Sequence, residues 1–316
     1  MTDGVVLRPF RPTTAALGRP WGGTRLPGGA PGIPIGELWL AGPNSRLSGP
    51  STQLDSTLDE LAERFGPRLV GRAGNSRYGA GFPLLIKLID AESWLSLQVH
   101  PDDRQARSLS GPGAVGKHEA WYVIAARPGA TLIIGPHPAA DTERLGKAVR
   151  AGFVERELLE AIPADEGMVV DIAPGTMHSI GPGVLLYEVQ QPSDLTYRIS
   201  DWGRAATPDR PLHVDEVQAC IDLSAGGVVS RPAQSDDAMT LTTEAFQLRV
   251  MGRDTTLEPS GYSPHVVTVV RGSALVEGDD WIEMLEPWST LVIPAEVTEY
   301  RLRPAAGSRV CVASLP

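Results

Sequence analysis

Six histidines stand in the 316-residue chain: His100, His118, His137, His178, His213 and His265. The informative ones have other donors beside them. In the run from Trp94 to His100 (WLSLQVH) side chains alternate. Ser96, Gln98 and His100 therefore share one strand face, and Leu95, Leu97 and Val99 the other. Idle polar groups are expensive to bury, so the first face is expected to line a cavity. Glu119 opens a second strand, with Lys117 on its own face and His118 on the opposite one. His178 stands just past the turn Pro174-Gly175, a rigid way to aim an imidazole. Two imidazoles, one carboxylate and one amide oxygen, with room for water, suit Zn²⁺. Three strong ligands with an open position form the catalytic rather than the structural pattern. Each histidine also has a plainer reading as a hydrogen-bonded core residue. Since 80 positions separate Gln98 from His178, spacing leaves their convergence open.

The elements that must position these residues are short. Gly (34) and Pro (28) make up about a fifth of the chain, which forbids a long-helix bundle and favours strands joined by turns. Strands are expected at 82–88, 94–99, 119–125, 131–134, 167–172 and 184–190, and around Val5–Leu7 and Leu38–Leu40. Helical spacing of Leu54, Leu58, Leu61, Ala62 and Phe65 predicts a helix stopped at Gly66-Pro67. Further helices are expected at 102–109, with Asp102 and Asp103 in its opening turn, and at 140–162, broken near Gly152. Seven short strands are expected between 246 and 313, as in a small sandwich or barrel. The polar, aperiodic stretch 222–238 reads as a linker. It separates a β domain with helical insertions (1–222) from an all-β domain (238–316).

Composition narrows the function. Apolar residues are 42% and charged residues 21%, a globular balance. The net charge of −10, without Lys/Arg runs, argues against nucleic acid or an anionic membrane as partner. No stretch approaches the roughly 18 apolar residues of a membrane span, and the first residues lack the apolar core of a secretory signal. Cys220 and Cys311 lack metal spacing and read as reduced thiols, so a cytoplasmic protein is expected, as monomer or small homo-oligomer.

An ordered set of motifs resembles the class I mannose-6-phosphate isomerases, zinc-dependent cupins, in their short bacterial form. The pieces are Trp21-Gly22-Gly23; Gly36-Glu37-Leu38-Trp39; Phe82 through Ala91; Leu95 through Asp102; Gly116-Lys117 with Glu119-Ala120-Trp121-Tyr122; Pro174 through His178; and Tyr187-Glu188 through Ser193-Asp194-Leu195-Thr196-Tyr197-Arg198. The resemblance implies a mainly β chain of two cupin-type double-stranded β-helix barrels, the first with helical insertions. It implies one Zn²⁺ per chain held by Gln98, His100, Glu119 and His178, and interconversion of mannose 6-phosphate and fructose 6-phosphate through an enediolate. It places Glu188, Arg198, Lys87, Lys117 and Ser96 in the pocket.

Three departures stand out. Ala173 occupies the usual proline position, with Pro174 next to it. Gly116 stands where some members carry a histidine. Glu299 replaces a metal-binding His in the C-terminal turn, and with His265 alone there the second barrel reads as metal-free.

Isomerisation at adjacent carbons needs a base, an electrophile for the enediolate and an open sugar chain. The metal is expected to polarise the C1–C2 oxygens. Glu188, or Lys117 with its pKa lowered by the metal, is expected as base. Arg198, always charged and so a poor base, is expected to act in catalysis and binding as a clamp on substrate oxygens or phosphate, with Lys87 and Ser96 as phosphate helpers. The other readings are a different cupin reaction, on an unphosphorylated sugar or as an iron oxygenase using His100, Glu119 and His178, and a non-catalytic sugar-binding cupin. The structural reading of Glu188 and Arg198 is an ion pair. Trp21, Trp39, Trp121 and Tyr122 read as core, and Trp202, Trp281 and Trp288 as packing.

Overall fold

Frequent turn residues keep the strands short. The computed structural model, which describes residues 6–28, 33–48, 56–231 and 238–316, is mainly β, with 40% strand and 16% helix. Val5, Leu54 and residues 232–237 of the expected linker lie outside the described residues. Contacts divide the chain into two compact units. One comprises Ala16–Leu38 and Leu88–Arg231; the other comprises Met1–Ala15, Trp39–Lys87 and Pro232–Pro316.

The first unit carries two antiparallel layers. In one, the strands run in the order Tyr197–Ser200, Leu97–Val99, His178–Ile180, Thr131–Pro136, Leu159–Pro163. In the other, Val228–Ser230, Val169–Ile172, Glu119–Ala126 and Val184–Gln190 are successive neighbours. Alternation sends Trp121, Val123, Leu132, Ile134, Val170, Ile180 and Leu186 into one shared core. Burying such a cluster supplies most of the drive for the layers to pack, at about 25 cal/mol per Å² of apolar surface. The opposite face of the first layer buries Leu97, Val99, Ile133, Tyr197 and Ile199 against Leu145 and Val149 of the helix Thr142–Arg150 and Val217 of the helix Val214–Cys220.

Helix expectations hold where capping chemistry is explicit. Asp102 and Gln105 form a reciprocal capping box at the start of Asp103–Ser110. The expected helix 140–162 is corrected: it ends at Arg150, and Arg156–Leu158 is a short 3₁₀ turn leading into the strand Leu159–Pro163. That strand pairs with Thr131–Pro136, a gain invisible to local periodicity. Within the expected linker, Val228–Ser230 is a strand paired with Val169–Asp171.

In the second unit the helix Leu58–Phe65 is capped by Thr57 and Glu60, and Gly66-Pro67 does end it. The chain then starts a second helix, Pro67–Tyr78, because proline suits a first helical position. Gly71 interrupts that helix with φ 74°. A Cβ there would lie 2.1 Å from the Tyr262 carbonyl oxygen, so only glycine fits. The C-terminal strands form a five-stranded and a four-stranded antiparallel sheet around a core of Val267, Val269, Leu291, Tyr300 and Val312. Ala238–Thr242 and Thr255–Leu257 join them as strands beyond the seven expected.

His265 is buried in that core, its Nδ1 3.0 Å from the Tyr300 hydroxyl. Burial, with the charge of Arg249, lowers its pKa from 6.5 to about 3. The unfolded chain therefore takes up a proton below pH 6.5 that the native chain refuses. This contribution to stability is intact above pH 6.5 and drains away as pH falls toward about 3. Thermal midpoints measured across this window should fall on acidification, and His265→Gln should flatten the slope.

Candidate metal centre

Three strand ends and one turn bring the candidate ligands together. Gln98 lies directly opposite His178 on one side and Arg198 on the other. The Gly175 amide donates to the His100 carbonyl at 2.9 Å, tying the turn before His178 to the His100 strand end. Lys117 N donates to the Pro101 carbonyl at 3.0 Å, which anchors the approach to Glu119. Gly116 fits this crossing because a Cβ there would stand 2.6 Å from the Asp102 carbonyl carbon and the Asp103 nitrogen. The departure at Gly116 thus has a packing reason in this chain.

His100, Glu119 and His178 are all buried, and their candidate ligand atoms lie within 4.8 Å of one another. They form the one such cluster among the described residues. Hydrogen bonding sets the tautomers. His178 Nδ1 lies 2.9 Å from the Thr176 carbonyl, and His100 Nδ1 lies 2.9 Å from the Leu195 carbonyl. A carbonyl only accepts, so each Nδ1 carries the proton and each Nε2 presents a bare lone pair. Those lone pairs face Glu119: His100 Nε2 is 3.3 Å from Oε2, and His178 Nε2 is 3.2 Å from Oε1. His100 Nε2 and Glu119 Oε1 are buried without a hydrogen-bond donor, while Glu119 Oε2 has the Lys117 ammonium at 3.1 Å. Acceptors converging on acceptors in a dry site are costly unless a cation lies between them. The donor set fits a divalent metal, with carbonyl bonds on the far ring nitrogens orienting the imidazoles.

Gln98 lies beside the group. Its amide nitrogen is 3.1 Å from His178 Nε2, and its oxygen accepts from Ser96 Oγ at 3.3 Å. A half-turn of the amide exchanges the two atoms and would present the oxygen to the shared space.

Burial foremost, aided by the Lys117 charge, pushes His100 down to about 3, keeping it neutral as a ligand must be. Burial alone would raise Glu119, but the Lys117 charge foremost holds it well below the usual carboxylate range. The Lys117 ammonium is 3.1 Å from Glu119 Oε2. Burial would lower its pKa, yet Glu119, Glu188 and Asp194 together raise it.

Glu188 is buried directly across from Trp121, whose indole nitrogen donates to its Oε2 at 3.1 Å. The same Trp121 ring meets His178 edge-on at 5.5 Å, so this core tryptophan also touches the site. Arg198 is buried on the Gln98 face. Its Nη1 donates to the Pro211 carbonyl at 2.7 Å, and its Nε is buried without a partner. Lys87 belongs to the other unit, where it is buried with its ammonium 4.8 Å from the centre of the Trp39 ring. His118 points to the opposite face, as alternation predicts, and lies 2.7 Å from Asp171. Glu37 accepts from Arg19 at 3.0 and 3.1 Å.

Sequence reasoning missed Asp201, Arg204 and Arg210. The available signal was the density of charge just after the Arg198 strand. Trp202, read as packing, adopts φ 57°, which a bulky residue rarely does. Cys220 and Cys311 are buried free thiols, and no helix among the described residues is long and apolar enough to cross a membrane.

Residues 27–122 match the family model of the phosphomannose isomerase type I catalytic domain. A mannose-6-phosphate isomerase of Streptococcus mutans is 39% identical over 211 residues, covering 62% of each chain. One of Bacillus subtilis is 37% identical over 206 residues, again 62% of each. The chain thus spans about 62% of the length of these curated relatives. The crystal structure of the mannose 6-phosphate isomerase from Bacillus subtilis superposes with a TM-score of 0.78 at 25% identity, over 98% of this chain and 100% of that one. The resemblance to class I mannose-6-phosphate isomerases drawn from the motifs is borne out by these matches.

Proposed function

We propose that the chain, a relative of the class I phosphomannose isomerases, is a metal-dependent aldose–ketose isomerase that interconverts mannose 6-phosphate and fructose 6-phosphate. The observation that carries this reading is the buried cluster in which the Nε2 atoms of His100 and His178 face the Glu119 carboxylate at 3.3 and 3.2 Å, with His100 Nε2 and Glu119 Oε1 lacking any donor. Gln98 is the fourth ligand and Zn²⁺ the metal. The two sheet layers around the site are the walls of a cupin-type barrel, with a second such barrel in the C-terminal portion. We assign catalysis to the portion 1–222 and a metal-free all-β portion to 238–316, which shares its compact unit with Met1–Ala15 and Trp39–Lys87.

Zn²⁺ supplies a Lewis acid for the oxygens of the reacting carbons. The rest of the work falls to side chains. Glu188, as a carboxylate, removes the C2 proton of the open-chain aldose and returns it to C1. The proton of the O2 hydroxyl passes to O1, so atoms and charge balance. Trp121 fixes the carboxylate that performs this transfer. Lys117, whose ammonium lies 3.1 Å from Glu119 Oε2, is the second candidate base, or as an ammonium a donor to the enediolate. Arg198 binds the anionic part of the substrate, with Ser96 beside it as a helper.

Chelation should abolish turnover of mannose 6-phosphate, and added Zn²⁺ should restore it, with about one metal per chain by elemental analysis. Equal turnover of mannose and mannose 6-phosphate would favour the unphosphorylated-sugar reading instead. Substrate binding without turnover by the metal-loaded chain would favour a silent cupin.

A further inference from the structure

The strand that carries Arg198 runs into a segment built around one carboxylate. Asp201 is 6% exposed and accepts from two arginines. Arg204 Nη2 reaches it at 2.6 Å; Arg210 reaches it through Nη2 at 3.0 and 3.2 Å and Nε at 3.3 Å. Arg204 also donates to the Trp94 carbonyl at 2.8 Å, and the Arg210 amide to the Thr207 carbonyl at 2.9 Å. Residues 201–210 are thereby tied into a knot. Trp202 holds its φ of 57° inside this knot, its indole nitrogen donating to the Leu95 carbonyl at 2.5 Å and its ring 5.8 Å from that of Trp94. Such a backbone state persists only where the surroundings over-determine it.

The far end of the segment returns to Arg198. The Pro211 carbonyl accepts from Arg198 Nη1 at 2.7 Å, His213 Nδ1 accepts from the Arg198 amide at 3.0 Å, and the His213 amide donates to the Arg198 carbonyl at 3.0 Å. The guanidinium is therefore held by the stretch that Asp201 folds, while its Nε stays buried and unpartnered. We propose that Asp201 is a positioning residue: by clasping Arg204 and Arg210 it sets the place of the Pro211 carbonyl and so aims Arg198 at the anionic group of the substrate. This rests on the reading of Arg198 as the anion clamp. The physical logic is charge balance. With a neutral side chain at 201, the guanidiniums of Arg204 and Arg210 would lose the carboxylate that gathers them, and the segment would open.

The test is a double-mutant cycle on the metal-loaded chain. Asp201→Asn should raise KM for mannose 6-phosphate about tenfold while kcat stays within about twofold and metal content is unchanged. In an Arg198→Gln background the same change should move KM less than about twofold, because the aim no longer matters. An unchanged KM, or an equal factor in both backgrounds, overturns the proposal. If Asp201→Asn fails to fold, Arg210→Gln takes its place in the cycle with the same expectations. Should the native chain not turn over mannose 6-phosphate, the functional reading fails separately. The cycle is then read from the Kd of inorganic phosphate by calorimetry, where the same pattern supports the clasp and its absence overturns it.

Discussion

On the function proposed above, His178→Ala should leave a folded chain that neither binds a divalent metal nor turns over mannose 6-phosphate, with activity down at least about a thousandfold. The imidazole has no substitute in place. Its Nδ1 is committed to the Thr176 carbonyl, and its Nε2 faces Glu119 and Gln98. Truncation removes one of two nitrogen donors and opens a gap beneath the Trp121 ring. The fold should survive, because Glu119 keeps the Lys117 ammonium as partner, and a cavity of this size costs roughly 2–4 kcal/mol. His100→Ala should behave alike, since its Nδ1 is likewise spent on a carbonyl. Elemental analysis, circular dichroism and a coupled isomerase assay on both variants check the expectation. Full activity in both would remove the metal assignment.

Glu188→Gln should separate chemistry from binding. The amide retains an oxygen to accept from Trp121, so the packing stays, but it cannot take a proton. We expect kcat to fall by about 10²–10⁴, with KM and metal content close to native. Lys117→Met should also lower kcat, by leaving Glu119 short of its ion-pair partner, but should weaken metal retention and stability as well. The two variants therefore differ in what accompanies the lost rate. Unimpaired kcat in Glu188→Gln would move the base to Lys117 or elsewhere.

Much of the centre was legible before any coordinates. Alternation assigned Ser96, Gln98 and His100 to one face, and Lys117 and Glu119 to another, because the side-chain period of a strand is a covalent fact. The Asp102 cap and the Gly66-Pro67 stop were legible for the same local reason. The strand Leu159–Pro163 was hidden because a short run takes its structure from a partner, here Thr131–Pro136, and not from its own periodicity.

The site divides in the same way. The kinds of donor available to a cation, and the strand faces that carry them, were settled by residue type and spacing. Their meeting depended on pairings across 80 residues, Gln98 against His178 and against Arg198, which only long-range hydrogen bonding and core burial impose. The tautomers of His100 and His178, the Lys117–Glu119 ion pair and the contacts of Asp201 with Arg204 and Arg210 likewise emerged from the tertiary structure. Each depends on which carbonyl, carboxylate or guanidinium lies within about 3 Å, and electrostatics in a buried site acts over such distances irrespective of chain order.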